Sequence, residues 1–214
     1  MAFLLRVELP DVPGSLGALA TVLGEAGADI EAIEIVEHRG DGKALDDVLL
    51  ELPSTVMPDA LITACHSLDG VRVHWISRYT AGANLSMDLE AVETFTAEPS
   101  HAIERLVGVV PATFRTDWAF ALRRDPSGEP TIEFATAAAP ELVPEAAAWL
   151  DLRTPTTLDG VAAWDSTLLA GTHAKDRSGR DLVVVVGRRG GPEFLPSELA
   201  RLGHMVSLAG SVQA

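Results

Sequence analysis

The chain has 214 residues, 47% of them hydrophobic and 22% charged, which suits one large globular domain or two small ones. Its 31 acidic residues outnumber 16 basic ones, for a net charge of -15. That balance excludes nucleic acid as a main partner and disfavours an anionic membrane surface, because both need clustered lysine and arginine. The pairs Arg123-Arg124 and Arg188-Arg189 are the only basic clusters, and neither extends along the sequence. With Cys65 as the single cysteine, no intramolecular disulfide is possible and a zinc cluster is not expected. No apolar run reaches the length of a membrane span, and the segment Met1-Ala2-Phe3-Leu4-Leu5 lacks the basic region of a secretory signal, so a cytoplasmic protein is expected.

Phe3, Leu5, Val7 and Leu9 alternate with Leu4, Arg6 and Glu8, which predicts a strand with one fully apolar face, ended by Pro10. Asp11-Val12-Pro13-Gly14-Ser15-Leu16 then makes a turn. Pro13 stiffens it, Gly14 removes a side chain from it, and Ser15 is placed to cap the helix that follows. The amides opening that helix are donors at a positive dipole end, where a carboxylate can dock. Leu16, Leu19, Ala20, Leu23 and Ala26 recur at helical spacing, and Gly27 falls where a C-terminal cap belongs.

Ile30, Ile33, Ile35 and Val36 mark a second strand whose parity slips between Ile30 and Ile33, predicting a bulge. Arg39-Gly40-Asp41-Gly42 is a hairpin loop. Val48, Leu50 and Leu52 give a third strand, closed by Pro53. Leu61, Ala64, Cys65 and Leu68 form one face of a second helix, which makes Cys65 a small buried hydrophobe. After Asp69-Gly70, Val71, Val73 and Trp75 form a fourth strand. The order βαββαβ is the ferredoxin-like pattern, a four-stranded antiparallel sheet backed by two helices.

Together, the Asp11–Leu16 turn, the Gly27-Ala28-Asp29-Ile30 box and this element order resemble an ACT domain, a small amino-acid-binding regulatory module. The resemblance implies a homodimer. An effector would sit between the first turn of one copy and the start of the second strand of the other. Carried onto this chain, the ligand-facing residues are Asp11, Gly14, Ser15, Leu16, Asp29 and Ile30. Such domains often carry asparagine where this chain has Asp29; an aspartate there can hold a ligand's ammonium but repels its carboxylate.

Ala81-Gly82-Ala83-Asn84 reads as a linker. A helical pattern follows through Leu85, Leu89, Val92 and Phe95, and Pro99 opens a second helix carrying Ala102, Ile103, Leu106 and Val107. Trp118 to Leu122 and Thr131 to Ala135 form a hairpin about the Asp125–Gly128 turn. Residues 137–150 read as loop with a short helix, and 154–163 as loop. Leu168 begins a third strand, Asp176 to Arg180 is a turn, and Leu182 to Gly187 is a central strand. The last helix starts near Pro196 or Ser197, with Leu199, Leu202, Val206 and Ala209 as an apolar seam that suits dimerisation. The Val-rich strand followed by Gly190-Gly191-Pro192 and a Leu-seamed helix resembles a GAF-type sensor domain; no pocket residue carries over.

The expected division is therefore an ACT domain at 1–80, a linker at 81–84 and a GAF-like domain at 85–214. The expected class is α+β, a ferredoxin-like βαββαβ domain plus a GAF-like domain with a central antiparallel sheet.

No catalytic constellation stands out. The six histidines are dispersed without metal-ligand spacing. Asp165, Ser166 and His173 are the least poor candidates for a triad, without the nucleophile elbow that would support one. Asp46 and Asp47 fall on opposite faces of one strand and cannot act as a pair. Trp118, Trp149 and Trp164 are expected in a core. The function expected is a non-catalytic sensor of a small metabolite, an amino acid, acting as a homodimer, without cofactor, and passing its output to another protein. The alternative is a dimerisation scaffold in which both modules have lost ligand binding.

Overall fold

The computed structural model describes residues 1–78 and 83–213 and divides into two compact units, Met1–Ala83 and Asn84–Ala214. Of the expected linker, Ala81 and Gly82 lie outside the described residues, while Ala83 opens a helix.

The first unit runs β1 (Ala2–Pro10), α1 (Ser15–Glu25), β2 (Asp29–Arg39), β3 (Lys43–Glu51), α2 (Pro58–His66) and β4 (Arg72–Arg78). The sheet is antiparallel in the order β2-β3-β1-β4, so β2 is an edge. Phe3, Leu5, Val7 and Leu9 face the helices and bury against Leu19, Leu23, Leu61 and Cys65, as the alternation predicts. Burial pushes the Cys65 thiol up to about 11, which leaves it inert at neutral pH. The opposite face of β1 carries buried Leu4 and two ion-paired residues: Arg6 donates to both oxygens of Asp47, and Glu8 accepts from Arg39 and Lys43. The predicted bulge is present between Ile30 and Ala32, and a second lies between Ile35 and Glu37.

The second unit begins within the first turn of α3 (Ala83–Thr96), and a tight turn at Pro99–His101 leads into α4 (Ala102–Phe114). Then come β5 (Trp118–Arg124), β6 (Pro130–Ala135), α5 (Ala146–Trp149), β7 (Thr156–Leu158), β8 (Thr167–Lys175), β9 (Asp181–Arg189) and α6 (Pro196–Val212). Its antiparallel sheet has the order β6-β5-β9-β8-β7. One face packs against α4 and α6. The other is covered by the segment that carries α5, and here Trp118, Phe120, Trp149 and Trp164 stack with ring centroids 5.1–6.4 Å apart. These rings are core, as expected. Trp118 lies across Gly187, its strand partner, where a β-carbon would come within 2.1 Å of the indole.

Two expectations change. Residues 154–163 hold a short edge strand, β7, paired with β8; at three residues it is too brief to show an alternation. The seam of α6 is not free for a second copy. Leu202, Val206 and Ala209 are at most 1% exposed and pack, with Leu199, into the unit's own core. No described helix is long and apolar enough to cross a membrane.

Candidate functional site

The turn Asp11–Gly14 has a conformation that only glycine adopts without strain at one point. Gly14 sits at φ +98° and is the N-cap of α1, in the left-handed region. Ser15 is therefore the first helical residue and not the cap that its sequence position suggests. No side chain caps α1, and no acidic residue stands in its first turn. Ser15 N–H donates back to the Val12 carbonyl at 3.2 Å, which leaves the amides of Leu16 and Gly17, at the positive end of the helix, without a side-chain cap. Asp11 is exposed beside them and its Oδ2 lies 2.8 Å from His38 Nδ1. The chemistry is that of two complementary charges at one corner: bare amides for a carboxylate, a carboxylate for an ammonium.

Asp29 and Ile30 lie elsewhere. Asp29 and Ala2 both pair with Glu51, whereas Pro10 and Arg39 both pair with Lys43. The turn and the start of β2 are thus at opposite ends of the sheet, roughly 25 Å apart at strand rise. Within one chain the six expected residues form two half-sites. Asp11, Gly14, Ser15 and Leu16 make one, and Asp29 and Ile30 the other. Asp29 is exposed, whereas Ile30 and Leu16 pack partly against the core.

Two residues stand near the first half-site whose place beside it no local pattern shows. His38 is brought to Asp11 by the sheet, and 27 positions of separation hide the pairing. Asp46 shares the parity of Val48, Leu50 and Leu52 and so faces the helices between Val7 and Ile35, only 1% exposed, with Oδ1 unpartnered. Burial pushes its carboxyl above the usual range; His38 pulls it back, while Asp11 and Asp47 push it further up. The signal was available, since a carboxylate on the apolar parity of a strand is an anomaly. Asp47 faces away, toward Arg6, so the two aspartates do point to opposite sides.

Asp165, Ser166 and His173 are not brought together. Ser166 precedes β8, while His173 lies near the other end of that strand with Nε2 2.7 Å from Asp181.

The first unit defines the class of module. Residues 3–62 match the family model of the ACT domain, a regulatory module, and the resemblance read from the sequence stands there. Over 74 residues the chain is 32% identical to NAD-dependent malic enzyme 1 of Bacillus subtilis (strain 168), covering 34% of this chain but only 17% of that protein. Similar solved structures include a formyltetrahydrofolate deformylase from Pseudomonas putida KT2440, at 12% identity and a TM-score of 0.30, covering 44% of this chain and 38% of that one. They also include the GAF domain of an Acinetobacter phosphoenolpyruvate-protein phosphotransferase, at 12% identity and a TM-score of 0.45, covering 62% of this chain and 93% of that one.

Proposed function

We propose that this chain is a non-catalytic regulatory sensor whose first unit binds an amino acid across two copies of itself. The carrying observation is the uncapped first turn of α1, with a left-handed glycine and no acidic residue, beside the exposed carboxylate of Asp11. The turn of one copy supplies the amides and Asp11, and the β2 edge of the other supplies Asp29 and the main chain at Ile30. Opposite-end placement of the half-sites supports this division, because two antiparallel copies would bring them together twice. The module reading is ACT at 1–80, linker at 81–84 and GAF-like at 85–214, with output passed to another protein.

A thermal-shift screen against the common amino acids tests it. A ligand at a hundred times its dissociation constant adds about 2.7 kcal/mol. Ser15→Glu is the matched variant: an acidic residue in the first turn favours the free helix by about 0.3–1 kcal/mol yet repels a ligand carboxylate. The apo midpoint should hold or rise while the ligand shift disappears. An amino-acid shift that survives Ser15→Glu would place the ligand elsewhere. The scaffold alternative draws on Val12 and Ile35, apolar residues 58% and 46% exposed. It predicts no shift with any amino acid.

A further inference from the structure

The second unit carries a cleft of about 390 Å³ at the end of its sheet where β5 turns into β6 and β8 into β9. That volume is within the range of small-molecule sites. Its floor is aliphatic: Leu122, Leu150, Leu182 and Val183, none more than 7% exposed. Its rim carries Arg123, Arg124, Arg153 and Arg180. Four of the chain's 16 basic residues thus line one cleft of nine residues, where an even spread would place fewer than one. The sequence shows only the Arg123-Arg124 pair; folding brings the other two from 29 and 56 positions beyond Arg124.

The four arginines are held differently. Arg123 is fixed: its side chain is 11% exposed, bonded to Glu133, to Asp176 at 3.1 Å and to the Asp181 carbonyl at 2.9 Å. Arg180 is tied to Asp176 from one side and is 66% exposed. Arg124 donates through Nη1 to the Gly128 carbonyl at 3.0 Å and pairs through Nη2 with Asp151 at 3.0 Å, the two side chains being 50% and 73% exposed. Such a pair contributes about 0–1 kcal/mol and opens easily. Arg153 is exposed and makes no ion pair or hydrogen bond among the described residues. The one acidic lining residue, Asp181, is engaged by His173 at 2.7 Å and Lys175 at 3.3 Å. The nearby carboxylates are therefore committed, and Arg153 and the releasable face of Arg124 are left for an outside anion. In a chain of net charge -15, a small anion is repelled in general and needs such a collar to approach.

We infer that this cleft is a second ligand site, one that takes a small organic acid: an anionic head held by Arg124 and Arg153 and an apolar body on the aliphatic floor. Guanidinium forks suit carboxylate and phosphate alike. The site shares no residue with the amino-acid half-sites and does not depend on them.

The test is calorimetric titration of the full chain with phenylacetate and phenyl phosphate, with benzyl alcohol as the uncharged counterpart. At least one of the two acids should bind, more weakly as salt rises, while the alcohol does not. The double variant Arg124→Ala/Arg153→Ala should weaken binding tenfold or more. Both side chains are exposed, so the variant should keep its fold, checked by circular dichroism. Comparing the two acids identifies which head the collar prefers. The inference is overturned if neither acid binds, if the alcohol binds as well as the acids, or if the folded double variant binds undiminished.

Discussion

Asp46 is the residue whose placement has the clearest energetic consequence. Its carboxylate sits among Val7, Ile35 and Val48 on the core face with one oxygen unpartnered. Burial raises its pKa in the folded state, so folding favours the protonated form. That contribution is fully present below the unfolded value and is lost as pH rises through the folded one. Asp46→Asn should therefore match the native chain in acid and melt higher at pH 7.5. The gain should be a few degrees, as about 1 kcal/mol implies for a unit of this size. Equal midpoints at pH 7.5 would mean the carboxylate has found a partner in solution. Ser15 differs from its sequence expectation at the same scale: a serine before an apolar period looks like a cap, but the left-handed Gly14 takes that position and moves Ser15 inside the helix.

Among the elements, the two hairpins of the second unit end in the same device. Asp125 Oδ1 accepts from Ser127 N, Ser127 Oγ and Glu129 N, at 2.8, 2.6 and 2.9 Å. Asp176 Oδ1 accepts from Ser178 N, Ser178 Oγ and Arg180 N, at 2.9, 2.6 and 3.0 Å. Asp176 is also buried and receives Arg123 and Arg180. Burial alone raises its carboxyl; Ser178, the Arg180 amide and the two guanidiniums outweigh that and hold it near 2. Its stabilisation is present above the ordinary carboxylate range and is lost as pH falls from about 4 toward 2. Asp176→Ala should cost roughly 1–3 kcal/mol by leaving the Ser178 and Arg180 amides and one side of Arg123 without their shared acceptor, although Arg123 keeps Glu133, and Asp125→Ala clearly less, both read from denaturant midpoints at pH 7. The order reversed would mean that the turn, not the ion cluster, is what matters. A second prediction concerns Gly187. An added methyl collides with Trp118, so Gly187→Ala should lose about 1–3 kcal/mol, and Gly187→Ala/Trp118→Leu should lose less than the two changes summed. Both turns were legible as Asp-x-Ser-Gly; the collision was not, because strand pairing between residues 118 and 187 is invisible to local pattern.

At the scale of the molecule, the first unit was legible because its information is local. Alternation, two helical stripes, glycines flanking α1 and a parity slip fix βαββαβ in order. The second unit was less so, since β7 is too short to alternate and the apolar stripe of α6 says only that something covers it. What no local pattern carries is which ends of the sheet coincide, and that decides how the half-sites are used. With the turn at one end and the start of β2 at the other, the proposed two-fold dimer would draw one half of each site from each chain. Defects in different halves should then complement. A chain carrying Ser15→Glu and a chain carrying Asp29→Lys are each expected to be silent toward the ligand. Unfolded and refolded together, they form hybrid dimers that hold one wholly native site and one doubly damaged site. Random pairing restores about a quarter of the native binding capacity. Two silent chains that regain binding only when mixed would show the ligand bridging them; a mixture as silent as its parts would confine the site to a single chain.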